Sequence, residues 1–306
     1  MNHILVRKGL VDMTDIRHFS ERIVAGADGA EIAVAQWPGP KGPLVCVHGL
    51  TSHSRAFAGL ATELADYALI AVDCRGRGRS SKEPPFGLEQ HAADLAAVMD
   101  GLDIDTATIV GHSMGAYIAG AFYARFPQRV QRLVFVDGGY PQPLPPGVTP
   151  DDLLESTLSM FLTKIRRTWA SLEEYLAFYE STPVYREGVD GYGRAHFAYD
   201  LAYQHDGVLK ARVGEECVAA DWREVLDRAL VGKRLEGVSV PLLLIRALGG
   251  LTGTGDLVIT DEVREAIAVR VPQVQVADVP GANHHTILFS VAGARAVARL
   301  IEEFLK

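Results

Sequence analysis

The chain is poor in cysteine. Its 306 residues hold only Cys46, Cys74 and Cys217, and no two of them form a C-x-x-C pair. An odd, unclustered set speaks against a disulfide framework and against the usual cysteine-ligated metal sites. Cys46 and Cys74 sit in or beside apolar runs and read as small buried hydrophobes. A basic excess is missing too: 30 Lys and Arg stand against 38 Asp and Glu, a net charge of -8. That balance argues against a nucleic-acid partner, which needs a basic face, and solubility alone accounts for it. No apolar run approaches a membrane span, and charges break Met1 to Asp15 throughout, so no signal-peptide core is visible. The expectation is a cytoplasmic protein with no membrane partner, in which Met13-Thr14-Asp15 offers an alternative start. Internal repeats are also missing.

What is there is an ordinary globular composition, 48% hydrophobic and 22% charged, in a chain long enough for a sizeable core. Two short strands joined near Asp28-Gly29 are expected between Ile16 and Trp37. Short, continuously apolar runs then alternate with helical patterns: Leu44 to Val47, a helix over Ala56 to Ala65, Ala68 to Val72, a helix over Leu88 to Leu102, Thr106 to Val110, and Val130 to Val136. Strands apolar on both faces, alternating with helices, predict a mostly parallel sheet covered on both sides. The rhythm breaks at Tyr140, where Pro141, Pro143, Pro145, Pro146 and Pro150 form a stiff connector. Helical patterns rich in aromatic residues follow. The α/β rhythm returns near Val240 with a strand over Pro241 to Ile245, a helix over Asp261 to Val269, a strand over Val274 to Val279 and a last helix over Val291 to Phe304. The expected organisation is therefore an α/β core over residues 1–139 and 238–306, interrupted by a helical cap over 140–237.

The chemistry is centred on Gly111-His112-Ser113-Met114-Gly115, between the strand ending at Val110 and a helical run of small residues. A serine flanked by glycines at a strand-to-helix turn is the context of a nucleophile elbow. The turn is too tight for side chains at the glycines, and it lifts the hydroxyl clear of the sheet beside the amide of Met114. Serine needs a base, usually histidine, which a carboxylate orients. His284, in Pro280-Gly281-Ala282-Asn283-His284, lies just past the last predicted strand, at the edge where ligands collect. Asp256, on the loop after the preceding strand, is the expected orienting acid, and Asp137, at the end of the strand before the proline connector, is the alternative. His48-Gly49-Leu50-Thr51 ends the first buried strand, so the amide of Leu50 can join that of Met114 in an oxyanion hole.

Four blocks together resemble the α/β-hydrolase fold, of the capped serine-nucleophile type. They are His48-Gly49-Leu50, Asp73-Cys74-Arg75-Gly76-Arg77-Gly78-Arg79-Ser80, Gly111 to Gly115 and Gly281 to His284. The resemblance spans nearly the whole chain in the family's order. It implies an eight-stranded, mostly parallel sheet with an inserted cap, Ser113 as nucleophile, His284 as base, and the amides of Leu50 and Met114 as oxyanion hole. The family often has a Gly-x-x-Asp block soon after the penultimate strand; here the loop is longer and glycine-rich, Ala247 to Asp256. Hydrolysis of a carboxylic ester or lactone is the activity so implied, with no cofactor and no metal, and a homodimer is compatible with it. Amide or carbon–carbon bond hydrolysis and cofactor-free perhydrolase chemistry share the same three residues, and a non-enzymatic binding protein shares the fold.

Simpler roles are expected elsewhere. His285 points away from its neighbour and is the weaker base, while His48 and His112 are turn residues. Asp73 is structural, Arg75, Arg77 and Arg79 form a structural, solvated loop, and His205-Asp206 is a surface pair. Most cap aromatics form its own core, with a few facing an apolar pocket.

Overall fold

The apolar runs become the strands of one sheet. The computed structural model describes residues 16–141, 147–205 and 207–306. Met13-Thr14-Asp15, Pro143, Pro145, Pro146 and Asp206 lie outside the described residues. The strands are β1 (Ser20–Ala25), β2 (Glu31–Trp37), β3 (Lys41–Val47), β4 (Tyr67–Val72), β5 (Ala107–His112), β6 (Val130–Val136), β10 (Leu242–Ala247) and β11 (Val274–Val279). They form an eight-stranded sheet in the order β1-β2-β4-β3-β5-β6-β10-β11. The first two pair antiparallel across the turn at Asp28, β2 runs antiparallel to β4, and every later pair is parallel.

Parallel strands need crossovers, and helices supply them on both faces. The helices α2 (Leu88–Gly101), α3 (Met114–Arg125) and α9 (Asp261–Arg270) cover one face. The other is covered by α1 (Ala58–Glu63), the short α10 (Thr286–Phe289) and α11 (Val291–Leu305). Alternation within each strand divides the core accordingly: Val45 and Val47 face the first layer, Leu44 and Cys46 the second. The last helix shows why its sequence folds so. Ser290 caps its start by accepting from the Gly293 amide, and Val297, Ile301 and Phe304 form one buried stripe. All three cysteines are buried and free.

Between β6 and β10 the chain inserts α4 (Pro150–Arg166), α5 (Leu172–Glu180), α6 (Gly191–Asp200), α7 (Glu215–Leu226) and α8 (Arg228–Arg234). It also inserts a small antiparallel sheet, β7-β9-β8, made of Thr168–Trp169, Leu209–Ala211 and Leu201–Tyr203. The periodicity predicts helices only. These strands are two or three residues long, too short to show a period of two. Rings from β7, α5 and α6 pack together: Trp169 of β7 meets Tyr175 of α5 at 4.8 Å, and Tyr179 of α5 stacks on Phe197 of α6 at 4.2 Å. Among the described residues, no helix is long and apolar enough to cross a membrane.

Candidate active site

Strand order brings the site together. Ser113 follows β5, and its backbone is forced to φ 54°, a region a side chain rarely adopts. The flanking glycines make this turn possible. A Cβ on Gly115 would collide with the Val47 carbonyl of β3, and one on Gly111 with the Gly115 backbone. Gly49 comes nearly as close: its Cβ would sit 3.1 Å from the Ser113 Cβ and 3.5 Å from Oγ. The hydroxyl is thereby held at the carboxyl edge of the sheet. Ser113 Oγ donates to His284 Nε2 at 2.9 Å, and His284 Nδ1 donates to Asp137 Oδ2 at 2.7 Å.

The carboxylate on His284 is therefore that of Asp137, and the expectation of Asp256 is corrected. The strand carrying Asp137, β6, is the immediate neighbour of β5, and the Ser113 amide donates to the Val136 carbonyl at 3.0 Å. Asp137 is fully buried. Its second oxygen accepts from the Ala247 amide at 3.1 Å, so both carboxylate oxygens are spent and its aim is fixed. Asp256 is exposed and turned into its own loop, where it accepts from the Thr252 amide at 3.0 and 3.1 Å. That loop serves the site through its backbone instead: the Gly250 carbonyl accepts from the His284 amide at 2.9 Å. From below, His112 Nε2 donates to the His284 carbonyl at 2.9 Å. His112 is thus a holder of the base, kept neutral by burial and by the nearby His284 ring. His285 is half-buried against Phe289 and Tyr185, and desolvation there pushes its pKa down to about 3.

The two amides expected to hold an oxyanion lie at the same place. Met114 opens α3, so its N–H belongs to the positive end of a helix. The Gly49–Leu50 peptide is oriented by two donors on the Gly49 carbonyl. One is the Ser52 amide at 3.1 Å and the other is His48 Nδ1 at 2.7 Å. The tautomer of His48 follows, because its Nε2 accepts from the Cys74 amide at 2.9 Å. In a planar trans peptide the N–H opposes the C=O, so fixing the Gly49 oxygen aims the Leu50 N–H the other way.

Arg77 ties this assembly together, and neither it nor Arg75 is solvated as expected. Both side chains are buried, and only Arg79 of the three is exposed. Nε of Arg77 donates to the Leu50 carbonyl at 2.9 Å, and Nη2 lies 4.0 Å from Met114 Sδ. Nη1 forms an ion pair with Asp221 of α7. Burial opposes the Asp221 charge, but Arg77 and His91 outweigh it and hold the carboxyl below its usual range. Arg75 binds Asp94 and Asp28, closing the β1–β2 turn onto α2. Asp73 is structural as expected: it accepts from the Ser54 and Arg79 amides and from the Tyr199 hydroxyl of the insertion.

A cavity of about 130 Å³ opens over Ser113, with His284, Asp137, Leu50 and Met114 in its wall. The insertion supplies Phe161, Lys164, Tyr179, His196, Phe197 and Trp222. Lys164 was not singled out by sequence reasoning. It sits in a run of mixed charge on an amphipathic helix, which reads as a solvated face. Among the described residues, no group of three or more His, Cys, Asp or Glu side chains could hold a metal ion.

Comparison with known proteins agrees with this architecture. The family model described as "alpha/beta hydrolase fold" matches residues 42–291. A putative 2-succinyl-6-hydroxy-2,4-cyclohexadiene-1-carboxylate synthase of Bacillus subtilis is 25% identical over 288 residues, covering 91% of this chain and 96% of that protein. The esterase YbfF of Escherichia coli is 38% identical over 96 residues, 31% of this chain and 38% of that protein. Among solved structures, E-2-(acetamidomethylene)succinate hydrolase superposes with a TM-score of 0.77 at 23% identity, covering 94% of this chain and 99% of that one. An esterase from Thermogutta terrifontis superposes with a TM-score of 0.66, also at 23% identity, over 94% of this chain and 98% of that one. At such identities the likeness concerns the fold alone.

Proposed function

The chain belongs to the α/β-hydrolase-fold family, and from that premise we propose that it is a serine hydrolase cleaving a small carboxylic ester or lactone. In this reading Ser113 attacks the carbonyl while His284 takes its proton, then passes it to the leaving alcohol. Water, activated by the same imidazole, releases the acyl group from Ser113. Asp137 keeps the proton on Nδ1, so that Nε2 faces the nucleophile as a base, and it stabilises the imidazolium that forms. The amides of Leu50 and Met114 receive the charge of the tetrahedral oxygen. Each such donor is worth on the order of 3 kcal/mol of transition-state stabilisation. The insertion acts as a cap whose aromatic wall selects the substrate.

One observation carries the proposal: the unbroken relay from Ser113 Oγ through His284 to Asp137, at 2.9 and 2.7 Å. Esterases among the relatives favour ester over amide or carbon–carbon bonds. The test is turnover of short p-nitrophenyl esters by the purified chain and by Ser113→Ala. The proposal expects steady release with the native serine and background release without it. Equal rates from the two proteins would reject it.

A further inference from the structure

The cavity over Ser113 is not uniform. Phe161 and Trp222, in ring contact at 5.8 Å, line it with Val225, Leu251 and Val258, while Thr51, Ser52, Lys164, Tyr179, His196 and His285 bring polar groups that adjoin one another. Lys164 reaches Thr51 and Tyr179, and His196 stacks on His53 next to Ser52, with Phe197 and Phe289 packed among them. We infer that the polar end is a subsite for a carboxylate, so that the preferred substrate is an ester bearing a free carboxylate a few bonds from the scissile carbonyl. The inference rests on the proposed role of Ser113 and names the substrate class of that same site.

Two of the groups at this end have hydrogen-bonding capacity to spare. The Ser52 side chain is 8% exposed and His196 is 2% exposed. Among the described residues, Ser52 Oγ and His196 Nδ1 are buried without a hydrogen-bond partner. Native interiors seldom leave such groups unpaired unless something else completes them. Lys164 brings a formal positive charge to the cavity wall. Its Nζ meets Asp200 Oδ2 at 2.6 Å and the Thr51 carbonyl at 3.3 Å, and it also bonds the Tyr179 hydroxyl. Asp200 is fully buried and does not line the cavity, so the lysine stands between it and the ligand space. Burial alone would strip the proton from Lys164, but Asp200 outweighs it and raises the pKa, so the ammonium stays charged. Tyr175 donates to Asp200 and so accepts from the Tyr179 hydroxyl at 3.4 Å, which in turn accepts from Lys164.

With the Ser52 hydroxyl and the His196 imidazole free to donate beside the positive end of the Lys164–Asp200 pair, this end suits a group that only accepts. An ionised carboxylate is such a group, with two oxygens and no proton of its own. Its hydrogen bonds here would be charge-assisted, the stronger kind. An alkyl end placed there would leave the same donors unpaired, and sites of this kind reject the analogue that lacks the polar group.

The test separates this inference from the hydrolase reading by measuring binding without chemistry. Ser113→Ala protein is titrated calorimetrically with monomethyl adipate and with methyl hexanoate, a pair matched in chain length and differing in the carboxylate. The expected result is affinity for the adipate higher by roughly tenfold or more. Adding Lys164→Met with Asp200→Asn, which removes both charges together and leaves no unpaired carboxylate, should collapse that ratio toward one while a cooperative thermal transition persists. Equal affinities in Ser113→Ala, a preference for the hexanoate, or a ratio that survives the double replacement would overturn the inference. Loss of folding in the variant does not rescue it, since the first ratio stands alone. The native enzyme's turnover of either ester is scored separately and bears on the hydrolase reading.

Discussion

An imidazole takes direction from a carboxylate only when that carboxylate is fixed on its far nitrogen, and in this chain the fixing is done by Asp137. One oxygen holds His284 and the other is spent on the Ala247 amide. Asp137→Asn should therefore preserve the fold while presenting an amide that favours the wrong tautomer. The expected loss in kcat on a p-nitrophenyl ester is on the order of 10⁴-fold. Asp256→Asn, in an exposed loop turn, should leave kcat within about twofold. The two substitutions, measured side by side, decide between the acids. Asp256 looked better in sequence because it follows the penultimate strand, the usual place in the family. The cue in favour of Asp137 was equally local: a charged residue ending an apolar strand, followed at once by Gly138 and Gly139. A Cβ at Gly138 would press on the Ser113 backbone, so that glycine is what allows the two strand ends to meet.

At the scale of elements, the turn at Ser113 depends on how closely α3 can approach β3. Gly115→Ala would drive a methyl group into the Val47 carbonyl, backbone against backbone, where no rotamer gives relief. The expected cost is about 3 kcal/mol or more, read as a shift in the urea midpoint, with loss of whatever p-nitrophenyl ester turnover the native chain shows. A second element-scale device is the buried contact of Arg77 with α7. The helix that carries Asp221 also carries Trp222 and Val225 of the cavity wall, so one guanidinium links the insertion to Leu50 and Met114. Arg77→Met leaves Asp221 buried without its main partner and should cost about 3–5 kcal/mol in urea unfolding. Arg77→Met with Asp221→Asn should recover a good part of that stability. Its kcat should remain lower by roughly tenfold, because the Leu50 carbonyl has lost its anchor. None of this was legible in sequence. Three arginines alternating with glycines and small residues read as a wet loop, and Asp28, Asp94 and Asp221, the partners of Arg75 and Arg77, are scattered along the chain.

Over the whole molecule, what could be read was what repeats locally. The inner strands of the large sheet follow from runs of Val, Leu, Ile and Ala, the first hairpin follows from alternation about Asp28-Gly29, and the glycines around Ser113 mark the turn. What could not be read depends on neighbours in space: which strand lies beside β5, the two- and three-residue strands of the insertion, and the polar end of the cavity. The same three-dimensional packing gathers histidines. His48, His53, His112 and His196 are buried around the site and His285 is half-buried there, and desolvation lowers the pKa of each. His53 stacks on His196 at 4.1 Å, and His196 on Phe289 at 4.1 Å. Each binds a proton more weakly folded than unfolded. The stability they contribute is complete above the unfolded value, about 6.5. It is lost as pH falls toward the folded values, about 4 for His48 and about 3 for His285. In that window each such group contributes a slope of about 1.4 kcal/mol per pH unit. Melting temperature should thus drop steeply from about pH 7 to about pH 5, below which carboxylates add their own effect. A flat profile over that range would show that these rings are not held neutral.

The most direct measurement is intact-mass spectrometry after brief exposure of the folded protein to a fluorophosphonate. A single adduct that maps to Ser113, disappears on unfolding, and is slowed by Asp137→Asn but not by Asp256→Asn is the result expected. An untouched Ser113 in the folded chain, or an adduct whose rate ignores Asp137, would contradict the account.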